Sequence, residues 1–271
     1  MKKITIKNCI MLALLTIIAP IMSLSSCSKD DDGDINVKKG RRLLMVESHE
    51  VEGLGDNNYI FHYEYDDAGR LSGLITESPS GSIATAWFTY DEHQLSWDYG
   101  GHSLKALTSD SRVQWLEPRG IYFKYDSKGR IQECISENSH IQFVWDDDNI
   151  VKLIATTGEV TLKYTKIKAF DLAYQEAFNP LCVFGKQLIT YKLRDHLVYY
   201  TGLCGPFSKN MPSEMTWIAN ERYATGYHRQ GILTYEYTTD SSGYPVGAVI
   251  KGVWNGGKER PTEQTMTMTW E

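Results

Sequence analysis

Apolar and polar residues alternate in several short segments of the chain. In the segment 60–65, the aromatic residues Phe61, Tyr63 and Tyr65 are separated by polar residues. A side-chain period of two is the signature of a β-strand with one buried face. The pattern therefore predicts a strand whose aromatic face lies against a core.

A turn signal follows this predicted strand. Asp66 can accept hydrogen bonds from the N–H groups of a turn, and Gly69 permits the positive φ that hairpin loops require. The unit recurs with Asp126 and Gly129 in the same places. The recurrence predicts an internal repeat of β-hairpins.

A third copy of the unit replaces the glycine. Asp146 begins its turn, and Asn149 stands where the other copies have glycine. Asparagine is the next-best tolerated residue at positive φ, so we expect Asn149 to take that role. Weaker echoes are the segment 87–91, which lacks a glycine, and the segment 235–243, which has a longer turn.

Residues 168–201 interrupt the alternation. Phe170, Tyr174 and Phe178 recur at helical spacing, and leucines do the same before Gly202. We expect one or two helices that cover an open end or a face of a curved sheet. Two further irregular strands are the alternative.

The first residues have the anatomy of a signal peptide. Three lysines precede an apolar run over residues 10–22, which is shorter than the roughly 20 residues that cross a bilayer. The segment 24–27, Leu-Ser-Ser-Cys, resembles the lipobox of bacterial lipoproteins. This resemblance implies a signal peptide over residues 1–26, cleavage before Cys27 and a lipid anchor on that cysteine. An ordinary signal peptide is the alternative.

The segment after Cys27 is acidic and hydrophilic. Residues 27–40 form an expected lipidated tether, because such a sequence cannot bury apolar surface. The run of aspartates over residues 30–34 resembles the surface-export signal of Bacteroidetes lipoproteins, which implies a position on the outer face of the outer membrane. A solvated spacer is the alternative. Residues 41–271 are then a single β domain.

Charge and cysteines limit the function further. Removing residues 1–26 removes three lysines and no acidic residue, which takes the formal net charge from −6 to −9. Nucleic acid is a poor partner for such a surface. No motif predicts a catalytic centre, a metal site or a cofactor. Cys182 and Cys204 are candidates for one disulfide, and free buried thiols are the alternative.

Three tryptophans are candidates for ligand contacts. Trp87, Trp97 and Trp115 could form a platform for sugar rings, or they could pack in the core. The leading interpretation is a non-enzymatic binding or scaffold module for a glycan or an envelope protein. A polysaccharide-active hydrolase and an outer-membrane pore are the alternatives.

The mature chain resembles two groups of bacterial proteins. Its Tyr-Asp-x-x-Gly-Arg units are similar to the Tyr-Asp repeat of large shell proteins, but two clean copies are too few to enclose a toxin. The anchor, these hairpins, the segment 205–212 and the alternating segment 264–270 together resemble Bacteroidetes lipoproteins of unknown function with a porin-like fold. This implies a mainly β protein, an antiparallel hairpin meander forming a curved sheet or barrel, with a small helical insertion.

Overall fold

The computed structural model describes the chain from Arg41 to Glu271 with a few short gaps. The described residues are 41–52, 55–99, 102–117, 120–137, 139–175, 177–184, 197–220, 222, 229–255 and 260–271. The expected signal peptide, Cys27 and the acidic tether lie outside the described residues. Every element below lies within residues 35–271.

Sixteen strands of the described chain form one closed antiparallel barrel in which strands adjacent in sequence are adjacent in space. They are β1 (Leu43–Glu52), β2 (Gly55–Tyr65), β3 (Leu71–Glu77), β4 (Ile83–Tyr90), β5 (Gln94–Tyr99), β6 (His102–Ser109), β7 (Arg112–Glu117), β8 (Ile121–Tyr125), β9 (Ile131–Ser136), β10 (Ser139–Asp146), β11 (Asn149–Ala155), β12 (Gly158–Lys168), β13 (Asn210–Ala219), β14 (Gln230–Thr239), β15 (Pro245–Asn255) and β16 (Arg260–Trp270). The predicted antiparallel hairpin meander is confirmed, and it closes rather than remaining an open sheet.

Pairing of the first strand with the last closes the barrel. Strand β1 runs antiparallel to β16, with Val46 opposite Met268. Beyond the strands, Arg42 and Glu271 exchange backbone hydrogen bonds of 3.3 and 3.0 Å. Among the described strands, closure of the sheet leaves no edge unpaired.

The core lies inside the barrel because the strands place their apolar residues inward. Tyr63 is buried on β2, as its alternation predicts, and Phe61 and Tyr65 pack against the core. On β16, Met266 and Met268 are buried and alternate with exposed threonines. On β16 the period of two thus gives an apolar inner face and a polar outer face.

The segment that joins β12 to β13 holds the described helices. They are a short 3-10 helix (Phe170–Tyr174), α1 (Pro180–Val183) and α2 (Leu197–Tyr200). Asn179 caps α1 by accepting a hydrogen bond of 3.0 Å from the Leu181 N–H, and Pro180 fits the first helical position. Residues 185–196 of the expected helical insertion lie outside the described residues.

This joining segment fills the barrel interior instead of covering an end or a face. Its Phe178 ring lies 6.0 Å from Tyr235 of β14, and its Phe184 ring lies 6.4 Å from Trp217 of β13. On another side of the barrel, its Tyr199 ring lies 6.4 Å from Phe123 of β8. A barrel of this size needs more apolar volume than its own strands supply, and the segment provides it.

Candidate functional site

The turn after β2 is built by its aspartate. The Asp66 N–H donates to the Arg70 carbonyl at 2.9 Å, and the Gly69 N–H donates to the Asp66 carbonyl at 2.8 Å. The Asp66 carboxylate accepts from the Arg70 backbone N–H and from its Nε, both at 2.8 Å. Gly69 has a φ of +79°, which is the left-handed conformation that glycine adopts without strain.

The same turn occurs after β8 and after β14. Asp126 accepts from the Arg130 N–H at 2.9 Å, and Gly129 has a φ of +76°. Asp240 accepts from the Tyr244 N–H at 3.0 Å, and Gly243 has a φ of +81°. The segment 235–243, expected only as a weaker echo with a longer turn, thus has the same Asp-x-x-Gly turn as the clean copies.

The expectation for Asn149 is wrong. Asp146 pairs directly with Asn149, so only two residues form the turn, and Asp147 takes the positive φ, at +48°. Asn149 begins β11, and its side-chain oxygen accepts a 2.9 Å hydrogen bond from the Asn210 N–H. The shorter turn moves the left-handed position back from residue 149, and aspartate tolerates that conformation.

An arginine and an aromatic residue close the same end of several hairpins. Arg70 lies 4.4 Å from the centre of the Tyr90 ring, and Arg130 lies 4.8 Å from that of Trp145. The polar tip of each ring donates to the carbonyl after its arginine, from Tyr90 to Leu71 at 2.7 Å. Equivalent bonds, made by the other strand-end rings of the described hairpins, join Tyr65 to Leu43, Tyr125 to Val113, Trp145 to Ile131, Tyr164 to Ile150, Tyr237 to Pro212 and Trp270 to Pro245. We call these side chains the strand-end aromatics.

The turn carboxylates are held in their charged form. Hydrogen bonds from the Arg70 backbone and side chain lower the pKa of Asp66 below its ordinary value of 3.8. The Arg41 guanidinium, which bonds to Asp240 across the barrel closure, lowers the pKa of Asp240 in the same way. These groups stabilise turns, and their arrangement does not resemble a catalytic pair.

The outer wall of the barrel carries ion pairs between neighbouring strands. Lys124 and Glu133 join β8 to β9 at 2.8 Å. Further pairs are Lys152–Glu159 at 2.6 Å and Lys163–Glu214 at 2.9 Å. These pairs place charged groups on the outer wall at β8, β9, β11, β12 and β13.

The three candidate tryptophans do not form one platform. Trp97 is a core residue with an exposed fraction of 1%, which is the outcome of the packing alternative. Trp87 is 46% exposed on the outer face of β4. Trp115 is half-buried on the outer face of β7, and its ring centre lies 3.8 Å from that of Tyr122 on β8.

The three described cysteines are buried and form no disulfide with one another. They are Cys134, Cys182 and Cys204, so the expected candidate disulfide between Cys182 and Cys204 is not formed. Burial raises the pKa of Cys134 to about 12 and raises that of Cys204 well above 9. Such thiols are protonated at neutral pH and are poor nucleophiles.

A shallow cleft of about 280 Å³ lies beside the turn that contains Arg130. Its lining residues are Lys128, Arg130, Trp145, Asp148, Pro206, Ser208 and Lys209. Arg130 is already engaged by the Asp126 carboxylate at 2.7 Å and by the Trp145 ring. The Arg130 guanidinium is therefore already occupied by contacts that stabilise the turn.

The described residues contain neither a cluster of metal ligands nor a helix that could span a membrane. Within those ranges, no group of three or more histidine, cysteine, aspartate or glutamate side chains is placed to hold a metal ion. No helix in the described part of the chain is long and apolar enough to cross a membrane.

Comparisons with known proteins identify the fold. No protein-family model and no curated protein matches the chain. A crystal structure of a porin-like protein from Bacteroides uniformis is similar, with a TM-score of 0.62 and 17% identity over 84% of this chain and 98% of that one. A porin-like protein from Bacteroides vulgatus has a TM-score of 0.51 and 12% identity, over 85% of this chain and 99% of that one. The chain therefore has the barrel fold of these porin-like proteins.

Proposed function

We propose that this protein is a non-enzymatic binding or scaffold module of the cell envelope, and that its barrel stands in water beside the membrane. The observation that carries the proposal is the polar outer wall, where Lys124 and Glu133, Lys163 and Glu214 pair across strands. A lipid-facing wall requires apolar residues at the outward positions of each strand.

The last strand supports the same proposal. On β16 the apolar Met266, Met268 and Trp270 face the core, while Thr265 and Thr267 face outward. A bilayer-spanning strand has the opposite distribution, with apolar residues outward and polar residues toward a water-filled lumen. Moving paired charges from water into hydrocarbon would cost several kcal/mol per ion.

The filled interior supports a module that does not conduct. The side chains of Phe184, Tyr199 and Phe207 are buried within the barrel, where a porin has its channel. The likeness to porin-like proteins concerns the fold and favours a pore as the alternative function. The binding module and the pore can be distinguished by adding the chain without residues 1–27 to planar bilayers and measuring their conductance. The proposal predicts no conductance. Regular single-channel steps would contradict it.

The expected lipid anchor supplies the membrane association in this proposal. Acyl chains on Cys27 would hold the protein on the outer membrane, and residues 28–40 would extend the barrel from it toward the cell surface. Labelled palmitate is expected to join the protein in cells. Cys27→Ser is expected to abolish both the label and the membrane association. Retention of that association by the variant would contradict the anchor.

The partner in this proposal is a glycan or another envelope protein. Within the described ranges, no group of three or more histidine, cysteine, aspartate or glutamate side chains is placed to hold a metal ion, and the buried Cys134 thiol is protonated. An exposed apolar patch that is bordered by polar residues is typical of a ligand-binding surface. The ligand is therefore sought on the outside of the barrel.

A further inference from the structure

Four apolar side chains form a continuous line across the outer wall. Leu107 on β6 is opposite Trp115 on β7, and Trp115 is opposite Tyr122 on β8. Tyr122 is in turn opposite Ile135 on β9. Directly opposed residues share a face of the sheet, so these four side chains stand together on the outside. We call them the outer aromatic row.

The outer aromatic row is accessible to a ligand. Leu107 is 43% exposed and Tyr122 is 53% exposed, while Trp115 and Ile135 are half-buried. Four adjacent strands span three interstrand distances, which gives the row a length of about 14 Å. This length suits a few linked sugar rings.

Polar side chains frame the row at its ends and along its sides. Gln94 is opposite Leu107 at one end, and His140 is opposite Ile135 at the other. Lys105 stands opposite Glu117 along one side, and the 2.8 Å pair of Lys124 with Glu133 lies along the other. The flanking charges balance, so the row favours a neutral ligand with hydroxyl groups over an ionic one.

The size of the row argues against a protein partner. A stable protein interface buries roughly 800 Å² on each partner, with a large apolar centre. Four side chains that are at most about half exposed, bordered by charges, provide far less apolar area than that. Sugar rings need less area, because their C–H groups stack on the negative face of an aromatic ring.

We infer that the outer aromatic row binds a neutral polysaccharide chain, with Trp115 and Tyr122 as the stacking residues. The inference deepens the proposed function and rests on it, because the row is accessible to a glycan only where the wall faces water. Leu107 and Ile135 extend the apolar surface along the direction of the bound polysaccharide. The side chains of Gln94 and Lys105 are placed to bond with sugar hydroxyls.

The test is a titration of the chain without residues 1–27 with cellohexaose, xylohexaose and mannohexaose, followed by tryptophan fluorescence and calorimetry. At least one of these sugars is expected to bind the wild-type protein. Trp115→Ala and Tyr122→Ala are each expected to weaken that binding about tenfold, the loss of one stacked ring. Trp87→Ala removes an exposed tryptophan outside the row and is expected to leave binding unchanged.

Three results would overturn the inference. The first is no binding of any of the three sugars by the folded wild-type protein. The second is an equal loss of binding in Trp87→Ala. The third is a reversible dimer, seen by sedimentation, that Tyr122→Ala abolishes, since a second copy would then occupy the row. Tyr122→Ala keeps the test valid if Trp115→Ala does not fold. If the chain is soluble and does not conduct but binds none of the three sugars, the proposed binding site is wrong and the proposed function still stands.

Discussion

Glycine at the turns serves two purposes at once. A Cβ on Gly129 would lie 2.0 Å from Nη2 of Arg112, and Gly129 also has a positive φ. Arg112 in turn lies 5.7 Å from the centre of the Tyr125 ring. The turn glycine after β8 therefore makes room for Arg112, the first residue of the preceding strand β7.

The two purposes can be separated by substitution. Gly81 has a φ of +76° with nothing near its missing Cβ, so Gly81→Ala measures backbone strain alone. Gly81→Ala is expected to lower the free energy of unfolding by about 1 kcal/mol. Gly129→Ala is expected to lower it by about 0.5 to 1 kcal/mol more, because Arg112 must leave its place. Urea denaturation measures both, and equal losses would show that Arg112 is not displaced.

Protonation of the turn carboxylates should destabilise the fold. The pKa values of Asp66 and Asp240 are lower in the folded chain than their ordinary value of 3.8. Their contribution is complete above that value and is lost as the pH falls through the lowered pKa. The melting temperature is therefore expected to fall below about pH 4. Asp66→Asn and Asp240→Asn should each flatten this dependence, and curves parallel to the wild type would contradict the assignment.

Residue patterns predicted the turns at Asp66 and Asp126 and indicated the turn at Asp240 only as a weaker echo. Asp66 and Gly69 could be assigned from the sequence because the aspartate, the glycine and the arginine lie within five residues. At Asp240 the following arginine is replaced by Tyr244, and Arg41, which is 199 positions away in the chain, bonds to the carboxylate instead. Such a substitution becomes visible only when the barrel closes.

At the scale of elements, several hairpins are closed by contacts within themselves. Tyr90 at the end of β4 bonds to Leu71 at the start of β3 and packs under Arg70. The strands were predictable because a period of two requires only local sequence. The bonds of the strand-end aromatics were not predictable, because each joins the end of one strand to the start of the strand before it, 12 to 25 positions away in the sequence.

The position of the joining segment could not be predicted from its periodicity. Phe170 and Phe178 indicate an apolar helical face, but such a face can pack on a sheet from outside or within a closed barrel. Phe170 stacks on Tyr244 at 4.3 Å beside the barrel closure, and Phe178 lies deeper against Tyr235. Closure of the sheet decided between the two arrangements.

The joining segment retains an unsatisfied polar group. The Tyr199 hydroxyl is fully buried and has no hydrogen-bond partner among the described residues. Tyr199→Phe is therefore expected to raise the free energy of unfolding by about 1 kcal/mol. Tyr125→Phe is the matched control, because its hydroxyl donates to Val113 at 2.5 Å, and it is expected to lower that free energy by about 1 kcal/mol. A loss of stability in Tyr199→Phe would show that its hydroxyl is bonded.

At the scale of the whole molecule, the fold and the polarity of the two faces of the barrel are separate observations. The barrel is similar to porin-like proteins from Bacteroides. Its interior is apolar and filled, and its outer wall carries paired charges such as Lys152 with Glu159. Fold and function are separable, and in this chain the polarity of the wall carries the functional argument.

Sedimentation velocity of the chain without residues 1–27, in buffer without detergent, tests the central claim most directly. A wall that faces water predicts one compact, folded species that stays in solution, with a sedimentation coefficient that added detergent does not change. Aggregation without detergent, relieved by micelles that bind around the barrel, would contradict the claim.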